Sequence, residues 1–482
     1  MTTYAVGIYQ KDAHMDNIKQ ILASNLSREE RNEIIRYLQR CSSFDIIGKL
    51  PIQLSTRILS FLTPEELCRL RTVSRSWNKL LTHDNLWRRI CIEYCIIPDT
   101  MEASFPSFNH LRIYFDLFRR ALTMTKTWKT FQCKRFEMRY HTGPVLSLLI
   151  SHITRVFSGD IDGKIHVWDA QNRRYVHCIH AHTSHVSCLA HNGHHIASGS
   201  SDRSIQVHSI FNFAHVVRLE GHEGPVTALT YANDSILISG SVDRLIRVWN
   251  TDDATCLRIL HGQENTIQAL SFCPQLPLKY CQNEQDAAIA RSNKAGFIVS
   301  GSSDHSVFVW DLKTSIEHDR PEVIASIMET NGPVTALTVY DELGEDEEQG
   351  WKKEQSPKHH VNDYVTARKP IDMPTFVAYA GVSDTGISIF SLPGLEKTQA
   401  ESPNVHLGTI WSISTATLHS KLITTSSDRT AIVWDLKSPR KSITLGGFGS
   451  AVLSSAISPQ EEILCFGTEK GHIVLFDLQE FE

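Results

Sequence analysis

The stretch ISGSVDRLIRVWN, residues 238–250, reads as an apolar-led strand, a tight polar turn and a second strand that ends on Trp249. Its plan recurs in FSGDIDGKIHVWD, ASGSSDRSIQVHS, VSGSSDHSVFVWD, YAGVSDTGISIFS, ITTSSDRTAIVWD and CFGTEKGHIVLFD. The closing aromatic, or its replacement, falls at Trp168, His208, Trp249, Trp310, Phe390, Trp434 and Phe476, with separations of 40, 41, 61, 80, 44 and 42 residues. A unit of about 40–45 residues cannot bury its apolar face alone, so such units stack on one another. The two long separations come from polar insertions near 273–296 and 341–374, each between the first and second strands of its unit. The second insertion sets an acidic block before Lys- and His-containing sequence, and reads as a solvated loop or a regulated contact site.

From residue 124 to 482 the chain resembles the WD-repeat family, whose units are blades of four antiparallel strands. Seven units imply an all-β, seven-bladed propeller. After the last unit, HIVLFDLQEFE leaves no residues for an outer strand. KTWKTFQCKRFEM, residues 126–138, is expected to supply it, with Phe131 and Cys133 alternating with polar neighbours. Such closure removes the unpaired sheet edge that invites aggregation.

Polar residues recur at fixed offsets within the blades. The first has His141, Ser158, Asp162 and Trp168; the third has His222, Ser239, Asp243 and Trp249; the sixth has His406, Thr424, Asp428 and Trp434. These residue types could be taken for a Ser-His-Asp hydrolase, but catalysis needs one such set in one cleft. In WD repeats, matching residues form a buried hydrogen-bonded network, which implies scaffolding here. Blade two has His208 at the Trp position, blade four has Gln263 at the His position, and Thr330 and Phe448 take that position in blades five and seven.

Residues 44–90 read as a small all-α unit. KLPIQLSTRILSFL offers Ile58, Leu59 and Leu62 at helical spacing. TPEE follows as a helix start, with Thr63 as cap, Pro64 at the first position and Glu66 three residues after the cap; Leu67, Leu70, Val73 and Trp77 then continue the period. Under fifty residues rarely make a self-sufficient core, so some of this surface must meet something else. The unit resembles the F-box, through Leu50-Pro51, Ile58-Leu59, Phe61-Leu62, Leu67, VSRSW at 73–77 and Leu86-Trp87, although Gln53 stands where that family commonly has an acid. The resemblance implies docking on a Skp-type adaptor, and through it on a cullin–RING ubiquitin ligase core. Leu50, Pro51, Ile58, Leu59, Leu62, Leu67 and Trp77 are the expected contacts. Residues 49–91 carry eight Lys/Arg against three acids in a chain of net −5, which suits an acidic partner.

Around the unit, residues 1–43 include a capping box from Ser27 to Glu30 and the apolar Ile34, Ile35 and Leu38. That segment packs on the F-box or makes a homodimer. Residues 91–123 form a linker, in which Phe108, Leu111, Phe115, Phe118 and Leu122 make a helical stripe expected to hold the two parts in fixed relation.

Propellers bind partners on the face that carries the turn Asp residues. The first-strand positions at which phosphate-reading relatives place arginines are here Leu146, Ser187, Thr227, Gln268, Thr335, Trp411 and Leu453, none basic. Arg203, Arg244 and Arg429 follow the turn Asp instead. A phosphate reader wants a bidentate Arg cluster, so the expectation is a mixed pocket of Trp411, Gln268, Leu146 and these three arginines, with Trp411 either an interface anchor or core. The substrate protein cannot be read from the residues.

The remaining readings are exclusions. Apolar and charged fractions of 41% and 21% are ordinary for a globular protein. No apolar run approaches a membrane span, and the N-terminus shows no signal peptide, so residence in cytoplasm, nucleus or both is expected. Eleven cysteines without a spacing pattern suit a reducing compartment. Cys91 and Cys95 lack a second pair at zinc spacing, so neither metal nor cofactor is expected. Outside 49–91 the charge is −10, which argues against nucleic acid. The chain is expected to be a non-catalytic substrate-recognition subunit of a ubiquitin ligase or, alternatively, a non-degradative scaffold.

Overall fold

The computed structural model describes residues 113–274 throughout and most of 55–93, 296–341 and 375–479. The chain divides into two compact units, Met1–Arg119 and Arg120–Glu482.

The first unit contains helices Pro64–Leu70, Arg75–Leu81 and Asp84–Glu93. Pro64 opens its helix at the position where a missing N–H costs nothing. Leu59, Leu67, Leu81, Leu86, Trp87 and Ile90 are buried together with Phe115 and Phe118, which lie at the start of a fourth helix, Ile113–Thr130. Trp87 sits at the centre. Its ring lies 4.9 Å from Phe115 and 5.0 Å from Phe118, and its indole N–H donates to the Leu81 carbonyl. The fourth helix runs through position 123 to Thr130, and its stripe does not continue as the spacing predicts. Leu122 is exposed, whereas Met124 and Trp128 are buried in the second unit, where Trp128 stacks on His419. Thr63, Phe108 and Leu111 lie outside the described residues.

The second unit is seven four-stranded antiparallel sheets, six of them built from consecutive strands. In the seventh, Lys134–Arg139 forms the outer strand beside His472–Asp477, in a register running from Lys134↔Asp477 to Arg139↔His472. This strand begins after Phe131 and Cys133 rather than through them. Phe131 takes a positive φ of 51° where the helix stops, and the ladder starts at Lys134. The insertions fall between Ile267–Cys273 and Phe297–Ser302 in blade four, and between Val334–Asp341 and Thr375–Gly381 in blade five.

Middle strands are flanked on both sides and read as continuous apolar runs, as in Ile463–Thr468, which is buried throughout. Outer strands are largely exposed, as in Arg174–His180, where Ile179 alone is buried. Neighbouring blades touch closely. A Cβ on Gly159 would lie 2.7 Å from Val186 of the next blade, and one on Gly467 would lie 2.7 Å from Val145, across the junction between last and first blades. Every innermost strand also carries a β-bulge at its second residue, between Val145 and Ser147 in blade one and equivalently in the other six. The bulge releases that residue from the ladder and turns it toward the end of the sheet that bears the Asp turn.

Because Trp87 is fully buried and links helix Asp84–Glu93 to the fourth helix, Trp87→Ala is expected to destabilise the helical unit by about 3–5 kcal/mol. Urea unfolding of the whole chain, followed by far-UV dichroism, should then show the helical signal lost well before the sheet signal.

Candidate functional site

The residues with a predicted binding role lie on two surfaces: the turn end of the blades, and the outside of the helical unit.

At the turn end, blades two, three and six share one network. His182, His222 and His406 each place Nδ1 on the turn carboxylate, at 3.0 Å from Asp202, 2.7 Å from Asp243 and 2.9 Å from Asp428. Nε2 of each meets a strand hydroxyl, at 2.9 Å on Ser198, 2.7 Å on Ser239 and 2.8 Å on Thr424. Trp249 and Trp434 donate their indole N–H to Ser239 and Thr424 at 2.8 and 2.9 Å. The aspartates also accept turn N–H groups, such as Leu245 on Asp243. Burial pushes His182 and His406 below the ordinary imidazole range, against the pull of their carboxylates. Asp243 lies below the usual carboxylate range: burial works against this, and the His222 hydrogen bond and charge outweigh it. Each serine hydroxyl is sealed inside its blade, so it cannot serve as a nucleophile, and the sets are scaffolding.

Blade one corrects the reading by offset. His141 Nε2 does meet Ser158 at 2.8 Å, and Trp168 donates to Ser158 at 3.0 Å, but the carboxylate facing His141 belongs to Asp160 rather than Asp162. In sibling blades two residues divide the work: Ser241 accepts the N–H of Asp243, and Asp243 accepts that of Leu245. Asp160 Oδ1 takes both equivalents, from Asp162 at 3.0 Å and Lys164 at 2.9 Å. The Asp162 carboxylate is thereby released to the surface, where it reaches only Thr142 and Lys164. Asp160, His141 and His166 are also the group of three potential metal ligands that converge among the described residues.

Blades five and seven lose the network as a set. In blade seven Phe448, Phe466 and Phe476 hold the His, Ser and Trp positions and pack on one another at 5.3, 5.7 and 6.5 Å. Blade five stacks Tyr379 on Phe390 at 5.6 Å. In blade seven, replacing all three partners by apolar groups leaves no orphaned donor, while in blade five buried Thr330 donates to the Gly332 carbonyl. In blade four Gln263 donates to Ser306 at 3.1 Å, and Trp310 keeps its bond to Ser300 at 3.0 Å.

The seven first-strand positions singled out from sequence are the bulged residues. Ser187, Thr227 and Thr335 turn their hydroxyls onto the first-strand carbonyls of Val226, Ile267 and Ile410 in the following blade. Gln268 donates to Ser303 Oγ at 3.1 Å. Leu146 is half-buried, and Trp411 is 48% exposed, so it is not core. On the same end, Leu407 is 92% and Ile161 49% exposed. Arg203, Arg244 and Arg429 are exposed but hold φ near 70°, the left-handed turn position that Gly163 and Gly471 fill in blades one and seven. They stand one to a blade rather than as a cluster.

On the helical unit, Leu50 and Pro51 lie outside the described residues. Leu59 and Leu67 are fully buried in the unit's own core, which corrects their assignment as partner contacts: neither can touch a partner without opening that core. Leu62 and Trp77 are partly buried against it, and Ile58 is 45% exposed. Helical spacing finds an apolar face but does not say which of two adjacent residues turns inward. Arg69, Arg75, Lys79 and Arg89 are exposed on the same unit. No helix among the described residues is long and apolar enough to cross a membrane.

Comparison with known proteins matches residues 47–93 to the F-box-like family model. The WD domain, G-beta repeat model matches residues 132–169, 173–209, 213–250, 254–311 and 399–435. The aromatic blades five and seven fall largely outside the repeat matches. Cell division control protein 4 of Saccharomyces cerevisiae is 26% identical over 277 residues, 56% of this chain and 31% of that protein. F-box/WD-40 repeat-containing protein At5g21040 of Arabidopsis thaliana is 22% identical over 330 residues, 60% of each. The chain therefore spans less than two thirds of the length of these relatives. No catalytic domain is indicated by these matches.

Two expectations follow for the turn end. Phe466→Ser installs the residue of the sibling blades but leaves its hydroxyl facing two phenylalanines, so a loss of about 3–5 kcal/mol is expected in chemical unfolding. His208 is buried, its Nδ1 has no partner, and burial, then the charges of His215 and His182, lower it to about 4. An imidazole lowered in the folded state binds its proton more readily when unfolded, so stability falls as pH drops from about 6.5 toward 4, by up to about 3 kcal/mol. His208→Trp removes the titrating ring and can donate to Ser198; its melting temperature should fall less than that of the parent chain between pH 7 and pH 5.

Proposed function

The chain belongs to the F-box and WD-repeat proteins, and on that premise we propose that it is the substrate-recognition subunit of a Skp–cullin–F-box ubiquitin ligase. The F-box-like unit docks on the Skp-type adaptor, and the Asp-turn end of the propeller binds the protein to be modified. The division of labour needs no chemistry from this chain.

One observation carries the substrate half: Trp411 stands half-exposed at a strand bulge on the turn end, with Leu407 exposed in the loop before it. Large apolar groups held on a rigid frame are the usual anchors of protein interfaces. For the adaptor half, the helical unit exposes the apolar Ile58 and the cations Arg69, Arg75, Lys79 and Arg89. This charge suits an acidic partner and raises the rate of encounter.

Co-purification of a Skp-type adaptor with the whole chain tests the reading. The parent chain is expected to retain the adaptor; Ile58→Asp and the double substitution Leu50→Ala, Pro51→Ala are expected to lower retention at least tenfold with the helical signal intact. Leu59→Ala should lose it only by unfolding the unit. Trp411→Ala should leave adaptor retention unchanged while reducing captured target and slowing its turnover in cells. Adaptor binding equal in all variants would sink the docking assignment. Adaptor binding without any change in target turnover would favour a non-degradative scaffold.

A further inference from the structure

We propose that His141, Asp160 and His166 form a binding site in blade one for a divalent cation of the zinc type. The site is specific to that blade. Asp160 pairs across the bulge with Val145, at the position held by Ser200, Ser241, Ser302 and Ser426 in blades two, three, four and six. His166 lies opposite Ser158, where the same blades have Gln206, Arg247, Phe308 and Ile432. Blade one alone among these brings a carboxylate and a second imidazole to the loop histidine.

The spacing at His141 differs from that in the sibling networks. Where a sibling histidine bonds its aspartate, Nδ1 lies 2.7–3.0 Å from the carboxylate. In blade one His141 Nδ1 stands 3.6 Å from Asp160 Oδ2, too far for an N–H donor, and it has no other partner. His166 Nε2 lies 3.1 Å from the same oxygen. Two ligands on one tetrahedral zinc ion, with bonds of about 2.0–2.2 Å, stand roughly 3.3–3.5 Å apart, and the two measured edges bracket that separation. The three ligand atoms all lie within 4.8 Å of one another.

Ser158 Oγ accepts the Trp168 indole N–H at 3.0 Å and lies 3.4 Å from the His166 carbonyl and 2.8 Å from His141 Nε2. In the His141 tautomer protonated at Nε2, whose proton this hydroxyl can accept, the Nδ1 lone pair faces the carboxylate, and a cation between them would satisfy both. The side chains of His141, Asp160 and His166 are 0%, 3% and 8% exposed. Tyr140 and Tyr175, stacked at 4.3 Å, form the wall beyond His166. Three protein ligands leave a fourth position for water.

The test is zinc titration of the chelator-treated whole chain against a competing chromophoric indicator. It is run beside Asp160→Ser and His166→Gln, each of which installs the residue a sibling blade carries. The parent is expected to bind one equivalent beyond the weak background shared by all three chains. Both variants should lose that equivalent, with affinity at least 100-fold lower, and zinc should raise the melting temperature of the parent alone. Equal stoichiometry and affinity in the three chains would mean scattered surface histidines, and would overturn the proposal. Cobalt(II) binding to the parent gives a second readout that needs no variant. Ligand-field bands of a tetrahedral N/O site support the assignment, and a spectrum of hexaaqua ion alone refutes it.

Discussion

The ladder between Lys134–Arg139 and His472–Asp477 is the contact on which the other six sheets depend. The second strand of one blade lies so close to the innermost strand of the next that a Cβ at Gly159 or Gly467 would strike the neighbouring valine. Chains of such contacts are only as strong as their ends, because a terminal blade has a neighbour on one side. Pairing a strand from before the first blade with strands from the last makes the terminal blade depend on residues more than three hundred positions apart. Gly467 against Val145 then gives the last blade its second neighbour. The entropy of closing so long a loop grows only slowly with its length, and a complete four-stranded ladder together with a shared apolar cluster offsets it.

With the ring closed, the turn end becomes a set of near-identical positions, and the physics of buried polar groups decides what can change there. A histidine removed alone would orphan an aspartate and a hydroxyl inside a blade. Blade seven accordingly changes its three positions together, to Phe448, Phe466 and Phe476, and blade five answers with Tyr379 on Phe390. The repeat matches thin out where the polar set is gone. His208 and Gln263 are single changes, and each leaves one buried atom, Nδ1 and Oε1, without a partner; of the two only His208 titrates, and it is there that acid sensitivity is expected.

How much of this is legible in the sequence follows from the same considerations. Blade number, the closing strand and the histidine–hydroxyl–Trp offsets can be read because a fixed period and an obligatory buried network leave marks at fixed positions. The first-strand positions are equally legible, because the bulge recurs in all seven blades. Asp162 misleads, because counting along the chain cannot tell that Asp160, two residues earlier, takes over both turn N–H groups. Leu59 and Leu67 mislead for another reason. Apolar spacing marks a face, but whether that face meets the unit's own core or a partner depends on Trp87 and on Phe115, which lies some fifty residues further on. His166 gives no signal at all, since its importance arises only from lying across a strand pair from Ser158.

Sameness in a repeat is a requirement of the scaffold, so departures that keep their neighbours satisfied are where a particular chain carries its own chemistry. Ser187, Thr227 and Thr335 spend their hydroxyls on the next blade's carbonyl; Trp411, on the same bulge, has no such bond to make and turns its ring outward. A tryptophan in that place adds nothing to the ladder and exposes a large apolar ring to water, a cost that binding a partner would reverse. The Asp160–His166 exchange in blade one is a departure of the other kind, buried rather than exposed, with two changes that make sense only together. A serine at 160 would leave His166 without its carboxylate, and a glutamine at 166 would leave Asp160 Oδ2 without a close partner. The two sites are separable: the one at 411 is expected to answer to a protein and the one at 160 to a cation, so changing either should leave the other's binding intact.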